Sequence, residues 1–185
     1  MPRVCVCFLP ADSELLDDHW LNKAAAARAP ATRNNEQPRV HAEIFFPSDE
    51  TASAMQGRSC GIHYGGTVFM YPKQFSKKIW QFRSLSVAPT QYNRMLDFCR
   101  RQVGGGFNYM GYFTPCNVSA SSRKNSLVEQ QKWFCSELVA TALYHGGVLE
   151  DITDASMHPQ SLYNCIEELT YADCGRNLDA SNIQL

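Results

Sequence analysis

The chain has 185 residues, 44% hydrophobic and 19% charged, with 17 Lys and Arg against 18 Asp and Glu. That apolar share excludes a disordered chain, and the balanced charge excludes a bulk basic field for nucleic acid or anionic lipid. The length suits one domain with its own core, expected over residues 1–172, with a polar tail at 173–185.

Residues 3–9 alternate Val4, Val6 and Phe8 with Cys5, Cys7 and Leu9. Both faces are apolar, the mark of a buried strand. Asp12 or Ser13 offers a helix cap, and residues 13–28, with Leu15, Leu16, Leu21 and alanines at 24–27, predict a helix. A polar loop follows at 30–37. Residues 39–46 predict a strand in which Val40, Ala42, Ile44 and Phe46 alternate with His41, Glu43 and Phe45. A second strand is predicted over 60–71, with Gly65-Gly66 as a bend inside it, and a third over 80–87.

Pro89 suits the first turn of a helix to 103, with Tyr92, Met95, Leu96 and Cys99 on one face. Gly104-Gly105-Gly106 stops it. A loop centred on 114–130 follows. Residues 134–145 predict a helix with Leu138, Val139, Ala142 and Leu143 on one face and Gly146 at its C-terminal cap. Pro159 opens a last short helix to 169. Strand, helix, three strands, helix, loop, helix and short helix make an α+β pattern with an antiparallel sheet.

No run approaches the ~18 consecutive apolar residues of a membrane helix. The amino end carries one basic residue, Arg3, and a short apolar run at 4–9 followed by acidic residues, unlike a secretory leader. A cytoplasmic protein is expected. The eight cysteines are scattered, with no CxxC, so neither a zinc site nor a disulfide framework is expected.

Cys135 stands apart from the other seven. It falls at the first turn of a strongly apolar helix, where unpaired backbone N–H groups and the helix dipole favour an anion. A nucleophilic thiolate is favoured there; a buried structural cysteine is the plain alternative. A thiolate also needs a base. His41 and His63 lie on adjacent predicted strands, where side chains can share a face, although either could be a hydrogen-bonded core histidine. His19 reads as a surface residue, His145 as a cation at a helix C-terminus and His158 as a turn residue. Histidine, polar residue and cysteine together supply base, orienting group and nucleophile. Arg100-Arg101 complements a helix end. The glycine run lacks the lysine and hydroxyl residue of a phosphate loop.

Trp133-Phe134-Cys135-Ser136-Glu137-Leu138-Val139-Ala140 resembles the Cys-Ser-Glu-Leu-Val motif of the circularly permuted NlpC/P60 family of papain-like enzymes. Val40-His41-Ala42-Glu43-Ile44 is similar to that family's histidine strand, with Glu43 where glycine is usual. Residues 104–112 and His158-Pro159-Gln160-Ser161-Leu162-Tyr163 are similar to its flanking motifs, so the resemblance runs in order from about 38 to 169.

The resemblance implies a permuted papain-like fold, with an antiparallel sheet against the helix carrying Cys135. It also implies a cysteine peptidase or amidase working through an acyl-enzyme, without metal or cofactor, on a peptide or acyl-conjugate substrate. Cys135 matches the nucleophile and His41 the base. His63, on the following strand, is the expected orienting residue, with Glu43 as its competitor. Tyr112 or Tyr109 would stand near the oxyanion. A lipid acyl thioesterase or acyltransferase, with Phe45, Phe46, Phe69 and Tyr71 lining an acyl tunnel, is the rival activity. A binding module that keeps the fold is the non-catalytic rival.

Overall fold

The computed structural model describes residues 1–16, 20–32, 36–109, 132–152 and 158–179. Among the described residues the fold is α+β, with a five-stranded antiparallel sheet and four helices packed against it. The strands are β1 (Arg3–Pro10), β2 (Arg39–Glu50), β3 (Ala54–Gly61), β4 (Phe69–Ser76) and β5 (Gln81–Ser86), in the order β4-β3-β2-β1-β5. The helices are α1 (Trp20–Arg28), α2 (Pro89–Gln102), α3 (Cys135–His145) and α4 (Pro159–Asp179). None of them is long and apolar enough to cross a membrane.

β1 is apolar on both faces because it lies between β2 and β5 and is covered on both sides. Val4, Val6 and Phe8 join Ala42, Ile44 and Phe46 under α2, α3 and α4. Cys5, Cys7 and Leu9 join Phe45, Phe75 and Trp80 in a smaller cluster on the opposite face. There the Phe75 ring meets Phe45 at 4.9 Å and Trp80 at 4.7 Å, both edge to face. This second, aromatic layer sits beneath the odd-numbered side chains of β2, which include His41 and Glu43.

The strand pattern departs from expectation in one way that matters for the site. Residues 60–71 are not a single strand. Gly65 adopts a φ of +72° and the Gly66 N–H donates to the His63 carbonyl at 3.0 Å. That turn joins β3 to β4, because a glycine meets a left-handed φ without the Cβ clash other residues suffer. His63 is therefore a turn residue and not a strand residue. β2 also runs past Phe46 to Glu50, passing Pro47 through a register irregularity between Pro47 and Asp49, where the missing proline N–H does least harm. The sheet gains a strand over the predicted three after the first helix.

The helices differ at their ends. α1 begins at Trp20, not at 13. Gly146 is the C-cap of α3 as expected, and Gly147 after it, with φ +68°, takes the left-handed position. α4 continues to Asp179, past the expected end at 169 and into the segment read as a tail; one interior glycine, Gly175, costs only about 1 kcal/mol and does not stop a helix as proline would.

Two short pieces fix the start of α3. β6 (Gly106–Phe107) pairs in parallel with β7 (Lys132–Trp133). The Asn108 N–H donates to the Trp133 carbonyl at 2.8 Å, and the Trp133 indole N–H donates to Gln102 Oε1 at 3.2 Å. The glycine run at 104–106 also grips the turn that follows β3: Gly104 N–H donates to the Val68 carbonyl at 2.9 Å, and Val68 N–H to the Gly105 carbonyl at 2.8 Å. The chain before Cys135 and the turn carrying His63 are thus tied to the same residues.

Candidate active site

Cys135 is the first residue of α3. Phe134, extended at φ −114°, is the N-cap, and its N–H donates to the Glu137 carboxylate at 3.4 Å. This is half of a capping box, with Glu137 also placing a negative charge in the first turn. Ser136 through Leu143 are buried, so packing holds the helix, and with it the sulfur, in place. Cys135 itself is 6% exposed.

His41 comes from β2, opposite Leu9 on β1. Its ring shares a cavity with Cys135, whose side chain favours the charged ring, and its Nε2 lies 3.2 Å from Glu43 Oε1. Burial alone would lower the His41 pKa; Cys135 and Glu43 outweigh it and raise the value to about 9. Glu43 is fully buried, which opposes ionisation, yet the bond to His41 and the charges of His41 and Lys73 lower its pKa to about 2. At neutral pH the pair is therefore imidazolium and carboxylate.

The partner of the His41 ring nitrogen is Glu43, and His63 is placed differently from the expectation. The His63 ring lies face to face with His41, centroids 5.0 Å apart and 22° from parallel, and with Phe69 on its far side at 5.1 Å. A stacked ring carries its lone pairs in its own plane, so it cannot meet a nitrogen of the ring beneath it. Cross-strand pairing had placed His63 opposite His41, but the turn after β3 lays it over the histidine. Burial first, then the His41 charge, lower its pKa to about 4, so it is neutral at pH 7. Glu43 instead reaches back along one face of β2 to the His41 ring.

Three residues that the sequence reading missed hold Glu43. Ser59 Oγ donates to Oε2 at 2.6 Å, and Lys73 Nζ donates to Oε1 at 2.6 Å. Gly61 leaves the space: a Cβ there would stand 2.9 Å from Glu43 Cγ and 3.0 Å from the Phe69 ring. One signal was available. Phe69, Tyr71, Lys73 and Phe75 alternate along one face of β4, and a half-buried lysine next to the buried Phe75 calls for a counter-charge. On the other flank, Gln160 Oε1 accepts from the Arg39 N–H at 3.0 Å and the Arg39 guanidinium lies 3.9 Å over the Tyr163 ring. The His158–Tyr163 segment thereby anchors the start of β2, two residues before His41.

The site opens into a cavity of about 610 Å³. Cys135, His41, His63 and Lys73 share it with an apolar wall that includes Leu9, Leu16, Val40, Ile62 and Trp80. Phe45 and Phe46 do not line it; they are buried in the two separate core clusters. Tyr109 is 45% exposed and packs on Tyr64 and Phe107. Tyr112 lies outside the described residues, as does the whole loop at 114–130. Of the remaining histidines, His158 Nε2 meets the Ala25 carbonyl at 2.9 Å and ties α4 to α1. His145 stacks on Phe98 at 4.6 Å, and burial and Arg101 lower its pKa, so the expected cation at the helix end is a neutral ring. His19 lies outside the described residues.

His41, Glu43 and His63 also bring possible metal-binding atoms within 4.8 Å of one another. The surroundings oppose a cation. Glu43 already meets an ammonium at 2.6 Å, and the two stacked imidazoles do not converge on one point. The arrangement instead matches the chemistry of a cysteine made nucleophilic by a histidine that a buried carboxylate orients.

No family model matches the chain, and no curated protein or solved structure matches it significantly.

Proposed function

We propose that the protein is a papain-like cysteine hydrolase, a peptidase or amidase of the permuted NlpC/P60 type. The observation that carries this reading is Cys135 at the first turn of α3, sharing one cavity with His41, whose Nε2 lies 3.2 Å from the buried Glu43. A structural cysteine has no need of a buried carboxylate that keeps its histidine neighbour charged.

The chemistry follows from the placement. With His41 held as imidazolium, Cys135 reacts as the thiolate of the ion pair and attacks the substrate carbonyl carbon to form a C–S bond. The Cys135 backbone N–H, at the start of α3, faces the developing oxyanion. The tetrahedral adduct breaks the scissile bond, and the leaving amine takes the proton from His41. Water then attacks the acyl-enzyme carbonyl, giving a proton to His41; the acid departs as the C–S bond breaks, and the thiolate–imidazolium pair is restored. Because Nε2 faces Glu43, Nδ1 is the nitrogen that exchanges this proton. Glu43 is the orienting residue in this scheme, and His63 shields the ring from water by stacking.

The cavity supports a second reading, a lipid acyl thioesterase or acyltransferase, because a wall of Leu9, Leu16, Val40, Ile62 and Trp80 beside the sulfur suits an acyl chain. The same two half-reactions then break a C–O or C–S bond. The test is trapping of the acyl-enzyme by mass spectrometry with two panels, peptide amides and acyl esters of graded chain length. Acylation of Cys135 by the first panel supports the amidase and by the second the thioesterase. Hydrolysis that persists in Cys135→Ala, or acylation of another cysteine, would remove both.

A further inference from the structure

We propose that Lys73 is a positioning residue of the Cys135–His41 pair, its ammonium holding the Glu43 carboxylate ionised and turned toward His41. This role rests on the cysteine-hydrolase reading and adds the residue that sets its acid limit. The placement is unusual for a lysine. It extends from β4 under an aromatic layer, with Nζ 4.7 Å from the Phe75 ring centroid and 5.0 Å from that of Trp80, and ends 2.6 Å from Glu43 Oε1. Ser59 fixes the other oxygen, so the carboxylate cannot rotate.

The titratable and charged groups facing Glu43 are Cys7 from β1, His41 from β2, His63 from the turn after β3, and Tyr71 and Lys73 from β4. Among them Lys73 is the one whose positive charge does not change during the proposed reaction. When His41 gives its proton to a leaving group it becomes neutral. A fully buried carboxylate with no cation then favours its protonated form. Lys73 prevents that, so Glu43 receives His41 again as imidazolium in the second half-reaction. Lys73 also lines the cavity, so the competing role is direct contact with an anionic substrate.

The full-length chain tests this without a known substrate. The rate of Cys135 alkylation by neutral iodoacetamide is followed from about pH 2 to 9, with the modified residue identified by mass spectrometry. An opposite charge at such range lowers a carboxylate pKa by about one to three pH units. Lys73→Met should therefore move the acid loss of reactivity upward by about that much, and Lys73→Arg should keep the wild-type profile. A Lys73→Met profile that superposes on wild type overturns the role, as does an arginine variant displaced as far as the methionine one. Slowing confined to iodoacetate, with iodoacetamide unaffected, reassigns Lys73 to anion binding. If His41→Asn leaves the wild-type profile unchanged, the nucleophile pair falls and Lys73 with it; a profile that depends on His41 but not on Lys73 overturns Lys73 alone. Should Lys73→Met fail to fold, recovery of folding in the double variant Lys73→Met, Glu43→Gln supports the charge pairing, and no recovery overturns it.

Discussion

Replacing Glu43 by glutamine separates the two candidates for orienting His41. The side chain keeps its size and loses its charge. His41 stands at a pKa of about 9 against an ordinary 6.5, which at ~1.4 kcal/mol per pH unit is a net gain of roughly 3 kcal/mol for the imidazolium. Cys135 and Glu43 supply that gain after overcoming burial. An even division gives Glu43 about one pH unit. The true loss is larger, because Glu43→Gln also leaves the Lys73 ammonium at 2.6 Å without a counter-charge near the ring. Ring-carbon NMR of ¹³C-labelled histidine reads the His41 midpoint directly. It should fall by at least about one pH unit in Glu43→Gln. In His63→Ala it should move much less, since the lost partner is a neutral stacked ring. An unmoved midpoint in Glu43→Gln, with a large fall in His63→Ala, would return the orienting role to His63.

Iodoacetamide near pH 6 should modify Cys135 first, since burial pushes the Cys5, Cys7 and Cys99 thiols up; preferential labelling of Cys165 or Cys116 would refute the nucleophile assignment. Gly61→Ala forces a Cβ to within 2.9 Å of Glu43 Cγ. It should cost about 1–3 kcal/mol in chemical denaturation and lower the His41 midpoint, and wild-type values for both would show that Glu43 is not confined there. The stability of the protein should also depend on pH in a defined sense. The raised His41 pKa adds stability that is complete below about 6.5 and lost as pH climbs through about 9. The lowered Glu43 pKa adds stability that is complete above about 4.5 and lost as pH falls through about 2. His63, lowered to about 4, works against the folded state as pH drops below 6.5. Denaturation midpoints should thus decline from pH 6.5 to 9, and a flat profile there would contradict a charged His41.

Local patterns were enough to read much of this protein. The all-apolar alternation at 3–9 marked the strand that β2 and β5 enclose, and the helical spacing after Cys135 marked the helix that buries nine consecutive residues from Cys135 to Leu143. Those signals are legible because burial imposes its period directly on neighbouring residues. Cys135 and His41 were also visible, each at a position whose local geometry suits its chemistry. The partner of the His41 ring nitrogen and its supports were decided elsewhere. A β-turn at Gly65-Gly66 broke one predicted strand into two, carrying His63 out of the sheet and over the histidine ring. The same hairpin brought Lys73 from β4 and Ser59 from β3 onto one carboxylate, and Gly61 left it room. Such contacts join residues 16 and 30 positions away from Glu43, and no local period records them. Whether a buried glutamate is ionised or neutral depends on which charges the folded chain sets beside it, and only the tertiary structure sets them there.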